Sequence, residues 1–300
     1  MPDRLALYTT VYPAAAPYLA DWWRSVEAQT DRAFDLWIGV DGMRVDEVAA
    51  AMGSEPRAEW VFAEPGDTPT AVRARAMTRM VDACDAVVFT DSDDLLHPER
   101  VASSRAALAR ADVVACALRI MDGEGRDLGL VFGPAPADDP AEILPRWNVF
   151  GLSNSAYRAS VLARCLPAPA ECVLVDWLLA TRAWASGATL AFDATPRMRY
   201  RQYGANVARV IPPFTGDYVL GAARRVLEHY DCALTGDPPL PPKARASLGA
   251  ARDRVRRFHD VLAADPARLA RYVTALDALP PRYVWWWCVA NPALEDVWRN

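Results

Sequence analysis

The first ninety residues alternate between short apolar runs and stretches in which apolar side chains recur at helical spacing. Leu5 to Tyr12 is rich in β-formers and stops at Pro13. From Tyr18 to Gln29, Leu19, Trp22, Trp23 and Val26 fall on one side of a helix. Phe34 to Val40 predicts a second strand, closed by Asp41 and Gly42, and Val45 to Met52 predicts a helix. Trp60 to Phe62 predicts a brief third strand. Thr70 to Ala83 predicts a helix with Val72, Ala76, Met77 and Met80 on one face, and Ala86 to Thr90 a fourth strand that runs into Asp91. Strands alternating with helices predict an α/β fold with a mostly parallel, doubly wound sheet flanked by helices. Such sheets bind ligands at the C-terminal ends of their strands. Asp41 follows the second strand and the run Asp91-Ser92-Asp93-Asp94 follows the fourth, so this topology can bring both to one rim.

Further along, a helix is expected from Pro98 to about Ala111 and a strand from Val113 to Ile120. A turn follows at Asp122 to Gly125, then a loop or short helix from Asp138-Asp139-Pro140, a helix from Asp176 to Ala185 and a strand near Thr189 to Phe192. Past Pro212-Pro213 the pattern becomes helical: Tyr218 to His229, Lys243 to Ala264 and Pro266 to Ala278. Joints containing Pro238, Pro239, Pro241 and Pro242, then Pro280 and Pro281, separate them. The expected organisation is an α/β unit carrying the acidic rim over residues 1–212 and a helical segment over 213–300.

Composition narrows the class. An apolar share of 52% supports a sizeable core, and a charged share of 24% is ordinary for a globular chain, which argues against wholesale disorder. The net charge of −5 argues against nucleic acid as a partner, because phosphate backbones select positive surfaces. The six cysteines include no CxxC pair, so zinc and thioredoxin-type redox chemistry are not indicated, and free thiols in a reducing cytoplasm are expected. The start of the chain, with Asp3 and Arg4, lacks a signal-type apolar region, and no stretch approaches the ~20 apolar residues that span a bilayer. The run Trp285-Trp286-Trp287 reads first as core or oligomer packing and leaves peripheral membrane contact open.

Two carboxylates at i and i+2 just past a buried strand can converge where the chain turns, and together they suit a hard divalent cation such as Mg²⁺ or Mn²⁺. Such an ion bridges a diphosphate and offsets charge on a departing phosphate. The same four residues also read as a turn and cap before the helix that starts near His97. His97 itself reads as a helix-entry residue, and His229 and His259 as packing or surface residues.

The stretch Thr90 to Arg100 (TDSDDLLHPER) resembles the DxD segment of family 2 glycosyltransferases, which have the GT-A fold. Asp41, closing IGVD, matches the family's nucleobase-contacting Asp, and Arg73 in Thr70 to Ala76 matches the Arg of its ARN helix, with Ala74 where the Asn stands. Val175-Asp176-Trp177 through Arg182 is similar to the acceptor-side ED motif followed by Arg; Val175 replaces the first acid and Asp176 matches the base. Tyr200 to Asn206 resembles a segment of rhamnosyltransferase-like members, with Tyr203 where a His often completes the metal site. The resemblance covers residues 4 to 206. It implies an inverting transferase in which Asp41, Arg73, Asp91 and Ser92 contact a nucleotide-diphosphate sugar, Asp91 and Asp93 hold Mg²⁺ or Mn²⁺, and Asp176 deprotonates a saccharide or other hydroxyl acceptor. Arg201 and Arg209 flank Tyr203, either to grip the diphosphate or as ordinary surface residues. Two other readings stay open: a catalytically impaired nucleotide-sugar-binding protein or partner subunit, and a nucleotidyltransferase. Against the second, the loop after the first strand is Pro13-Ala14-Ala15-Ala16-Pro17, not a Gly-rich, Lys-containing one.

Overall fold

A computed structural model of the chain describes residues 2–135, 137–204, 206–237 and 239–299. Met1, Pro136, Ala205, Pro238 and Asn300 lie outside the described residues, so Ala205 of the Tyr200 to Asn206 segment and Pro238 of the first Pro-rich joint are not characterised further.

The first half follows the expected alternation. Strands β1 (Leu5–Val11), β2 (Asp35–Val40), β3 (Glu59–Phe62) and β4 (Ala86–Phe89) all run parallel, in spatial order β3-β2-β1-β4. Every residue of β1 and β4 is buried, as a parallel strand covered by helices on both faces requires. Helices α1 (Leu19–Glu27), α2 (Val45–Met52) and α3 (Pro69–Ala83) make the crossovers. Helix α1 buries Leu19, Trp22 and Val26; Trp23 lies at the edge of that face and donates its indole N–H to Ser54 Oγ at 2.9 Å. Helix α3 opens at Pro69 with the Thr68 hydroxyl accepting from the Ala71 amide, and it buries Val72, Ala76, Met77 and Met80. Gly39 of β2 passes so close to Tyr8 of β1 that an added Cβ would sit 2.5 Å from the phenol oxygen.

Antiparallel pairing enters beyond β4. The chain continues through β5 (Leu95–Leu96), α4 (Arg100–Leu108), β6 (Val113–Met121), β7 (Asp127–Phe132), α5 (Pro140–Ile143), β8 (Ser155–Arg158), α6 (Ala159–Cys165), α7 (Val175–Ala185) and β9 (Leu190–Arg201). The strands described form one mixed sheet in the order β3-β2-β1-β4-β8-β6-β9-β5, with β7 paired to the far end of β6. Strand β8 runs antiparallel between β4 and β6, while β6 and β9 are parallel. Sequence periodicity did not foresee β5, β7, β8 or α6. Strands of two and four residues are too short to show a period, and Gly129 interrupts β7. Strand β9 extends well past the expected Phe192 because β6 and β5 pair with its polar second half, so backbone ladders rather than apolar side chains hold it.

Helices α8 (Gly216–Thr235), α9 (Pro242–Ala264), α10 (Pro266–Asp277) and the short α11 (Glu295–Arg299) complete the chain. Helix α8 leans on α7 through His229, whose ring stacks on Trp177 at 4.2 Å. Trp285, Trp286 and Trp287 are all buried: Trp287 packs edge-on against Phe214 and donates to the Val210 carbonyl at 3.2 Å. All six cysteines are free thiols. No described helix is long and apolar enough to cross a membrane.

Candidate active site

The ends of β1 and β4 lie side by side, with the Thr90 amide donating to the Tyr8 carbonyl at 3.0 Å. The chain then reverses: the Asp94 amide donates to the Asp91 carbonyl at 3.2 Å, closing a β-turn over Asp91-Ser92-Asp93-Asp94. Asp91 and Asp93, at its first and third positions, line a cleft of about 210 Å³, whereas Ser92 and Asp94 are buried beneath it. The Ser92 hydroxyl donates to the Thr10 carbonyl at 2.8 Å. Asp94 accepts from the Ser153 hydroxyl and, at 2.8 Å, from the Arg201 amide, tying the turn to β9 and to the loop before β8. The four residues of the run thus divide into two that face the cleft and two that anchor it.

Asp93 is oriented by Tyr203, whose hydroxyl donates to Asp93 Oδ2 at 2.8 Å. Arg201 is 2% exposed and does not line the cleft, which corrects both readings of it. Its Nε donates to the Asp93 carbonyl at 2.8 Å, one Nη donates to the Gly123 carbonyl at 2.9 Å, and its guanidinium lies 4.4 Å from the Tyr18 ring centre. Satisfying two carbonyls in a buried site makes it a brace for the turn. Arg209 is half-buried beside the Tyr218 ring and likewise lies outside the cleft lining.

Across the cleft, Asp176 is the second residue of α7 and accepts from Asn148 Nδ2 at 2.8 Å. Arg73, in the early turns of α3, completes the charged part of the lining, and the neutral phenol of Tyr12 also lines the cleft. Asp91, Asp93, Arg73 and Asp176 are therefore brought together. Asp41 is not: it is half-buried, its amide continues the ladder to Val11 at 3.0 Å, and it sits at the end of β2 outside the cleft lining. Arg182, from the segment following Asp176, is buried, donating to the carbonyls of Cys165, Pro167 and Asp237, which fixes the loop before α7 to the end of α8.

The electrostatics follow from burial and crowding. Burial, reinforced by the neighbouring Asp93 and partly offset by Arg73, pushes Asp91 up to about 7. Burial also raises Asp93, against the opposing effect of the Tyr203 hydrogen bond. Asp176 is raised to about 6 by burial, with the Trp177 amide, Arg73 and Asn148 working the other way. Among the described residues no group of three His, Cys, Asp or Glu side chains converges as a metal site. Two hard carboxylates that resist ionising next to one another would nonetheless suit a divalent cation, which would offset their repulsion. His97 is a helix-entry residue, accepting from the Glu99 amide at Nδ1.

The sequence had not singled out Tyr12, Trp285 or Trp286 as cleft residues, nor Asn148 as the partner of Asp176. Tyr12 carries a signal in hindsight, standing at the end of the first strand where such sites form. Asn148 and the tryptophans reach the site only through non-local pairing, including a bridge between Asn148 and Trp285.

No protein-family profile matches the chain, and no curated protein matches it. Solved structures do. The chain is similar to residues 1–349 of Staphylococcus aureus TarS at a TM-score of 0.57 and 14% identity, covering 84% of this chain and 71% of that one. The same TarS region in complex with UDP-GlcNAc gives 0.55 and 14%, over 86% and 72%. The mannosyltransferase PcManGT from Pyrobaculum calidifontis, in complex with GDP-Man and Mn²⁺, gives 0.52 and 16%, over 91% and 79%. The fold is that of GT-A-type glycosyltransferases.

Proposed function

We propose that this chain is an inverting glycosyltransferase that moves a sugar from a nucleotide-diphosphate donor to an acceptor hydroxyl with the help of a divalent cation. The observation that carries this reading is the convergence of Asp91, Asp93, Arg73 and Asp176 on one cleft at the C-terminal edge of a parallel half-sheet. Asp91 and Asp93 would hold Mg²⁺ or Mn²⁺, which when bound supplies positive charge for the departing diphosphate. Arg73 adds a fixed guanidinium to the same end of the cleft. Asp176, held by Asn148, accepts the acceptor's proton as its oxygen bonds to the anomeric carbon, and the bond from that carbon to the diphosphate breaks on the opposite face. In the same proposal residues 1–212 form the catalytic unit. Residues 213–300 support it, with Trp285 and Trp286 walling the cleft.

The two neighbours solved with UDP-GlcNAc and with GDP-Man and Mn²⁺ support a nucleotide-sugar donor and a metal, and the Tyr200 to Asn206 segment adds deoxyhexoses to the candidates. The deciding measurement is donor hydrolysis and transfer with Mn²⁺ across UDP-, GDP- and dTDP-sugars. Turnover abolished by Asp93→Ala is expected. Val175 in place of an acid, and two carboxylates with no third His, Cys, Asp or Glu converging on them among the described residues, favour the second reading of a binding subunit; tight donor binding with no turnover from any sugar would select it.

A further inference from the structure

The cleft lining is of two kinds. Its charged side chains are Asp91, Asp93, Asp176 and Arg73. The apolar part of the lining is Leu152, Leu174, Trp285 and Trp286, with Val173 and Val207, interspersed with tyrosines, Ser153 and Asn206. Those two valines come from separate loops, before α7 and after β9, and are 54% and 51% exposed. They are among the few large apolar side chains that the described surface leaves in water.

The apolar wall is also rigid. Trp285 packs at 4.1 Å on Phe132, donates to the Tyr200 hydroxyl at 3.2 Å, and fills the space over Gly151, where an added Cβ would lie 2.4 Å from the indole. Trp286 is held in the left-handed region at φ 69, a conformation a bulky residue adopts only where its surroundings over-determine it. Arg73 is the one cationic side chain among the described cleft residues, against three carboxylates, so an anion beyond the donor's diphosphate finds no free positive group there.

Resting on the transferase reading above, we propose that the acceptor is an uncharged hydroxyl compound with an apolar aglycone. Its hydroxyl sits at Asp176, and its alkyl or aryl body lies along Trp285 and Trp286 between Val173 and Val207. Free sugars and phosphorylated acceptors are disfavoured, the first because they leave the valines in water and the second by charge.

Calorimetric titration of the whole protein with methyl and hexyl β-glycosides of glucose, galactose, mannose and N-acetylglucosamine, and with the matching 6-phosphates, tests this without needing turnover. Hexyl glycosides should bind at least about ten-fold more tightly than methyl ones, given roughly four-fold per buried methylene, with a negative heat-capacity change. The 6-phosphates should bind weakest. A Val173→Ser, Val207→Ser double variant, shown folded by its melting curve, should bring the hexyl-to-methyl ratio down about five-fold or more. Equal binding of hexyl and methyl glycosides, tighter 6-phosphates, or a ratio untouched in the double variant would overturn the proposal. A preserved hexyl preference without sugar transfer from any donor supports the apolar subsite and overturns only the transferase reading.

Discussion

The Tyr203 hydroxyl donates to Asp93 Oδ2 at 2.8 Å, so the residue that the family resemblance sets against a His touches the carboxylate of the proposed metal site rather than offering a nitrogen. A phenol is a poor ligand for Mg²⁺ or Mn²⁺, but a hydrogen bond to a ligating carboxylate sets its orientation. Tyr203→Phe should therefore raise the Mn²⁺ concentration for half-maximal turnover by ~10-fold or more while leaving maximal turnover at saturating Mn²⁺ within a few-fold. A metal titration of activity checks it; an unchanged half-saturation would remove Tyr203 from any part in the metal site.

Asp91 and Asp94 stand three residues apart, yet their substitution should have opposite effects on stability. Asp91 faces the cleft, and its folded-state value of about 7 lies above that of an unfolded Asp. Stability tied to a raised carboxylate is fully present below the unfolded value and is lost as pH rises through the folded one, here across about pH 4 to 7. Asp91→Asn should thus raise the melting temperature of the metal-free protein at pH 8, by about 1–2 kcal/mol of stability, while abolishing metal-dependent turnover. Asp94→Ala removes the acceptor of the buried Ser153 hydroxyl and Arg201 amide and should cost about 2–4 kcal/mol. Thermal melts with and without Mn²⁺ separate the two.

What could be read from the chain alone follows from locality. The parallel half was legible because β1, β2 and β4 are buried apolar runs and α1 and α3 carry clear helical faces. Asp91, Asp93 and Asp176 could be named because each stands beside a recognisable segment. In the second half of the sheet β6 and the start of β9 were legible, but β5 and β8 were hidden because they take their stability from partners distant in sequence, Arg199 and Met198 for β5 and the strands β4 and β6 for β8. Asn148 as the partner of Asp176, and Trp285 and Trp286 as cleft residues, were missed for the same reason. Arg201 was misread because nothing local reveals that a strand-end arginine will be sealed under Tyr18 and the DxD turn.

At saturating Mn²⁺, where a bound cation would hold Asp91 and Asp93 ionised, Asp176 should set the acidic limb of transfer. A base works only when deprotonated, and burial raises Asp176 to about 6, so transfer should climb roughly ten-fold per pH unit below that value and level above it. Asn148 donates to Asp176 and favours its charged form, so Asn148→Ala should move the limb to higher pH. Because Asn148 Oδ1 also accepts from the Phe150 amide, the variant should lose about 1 kcal/mol of stability as well. Asp176→Asn should lower transfer by ~10²-fold or more with donor affinity retained. Weakened donor binding with transfer intact would make Asp176 a structural residue.

His229 is buried on α8 against Trp177, and neither ring nitrogen has a hydrogen-bond partner among the described residues. Burial lowers it to about 3, well below the ordinary value of 6.5. For a histidine held neutral in this way, the unfolded chain binds the proton and the folded one does not. Stability is fully present above about pH 6.5 and is lost as pH falls towards 3. His229→Phe keeps a flat ring for the stack on Trp177 and removes two polar atoms that burial leaves unpaired. The substitution should stabilise the protein by about 1 kcal/mol at pH 8 and by more at pH 5, where the unfolded state of the variant no longer gains from protonation. Urea melts of both proteins at the two pH values measure this directly. A loss of stability at pH 8 would mean that the imidazole nitrogens are satisfied, and that His229 contributes a polar contact to the face of α7 opposite the cleft.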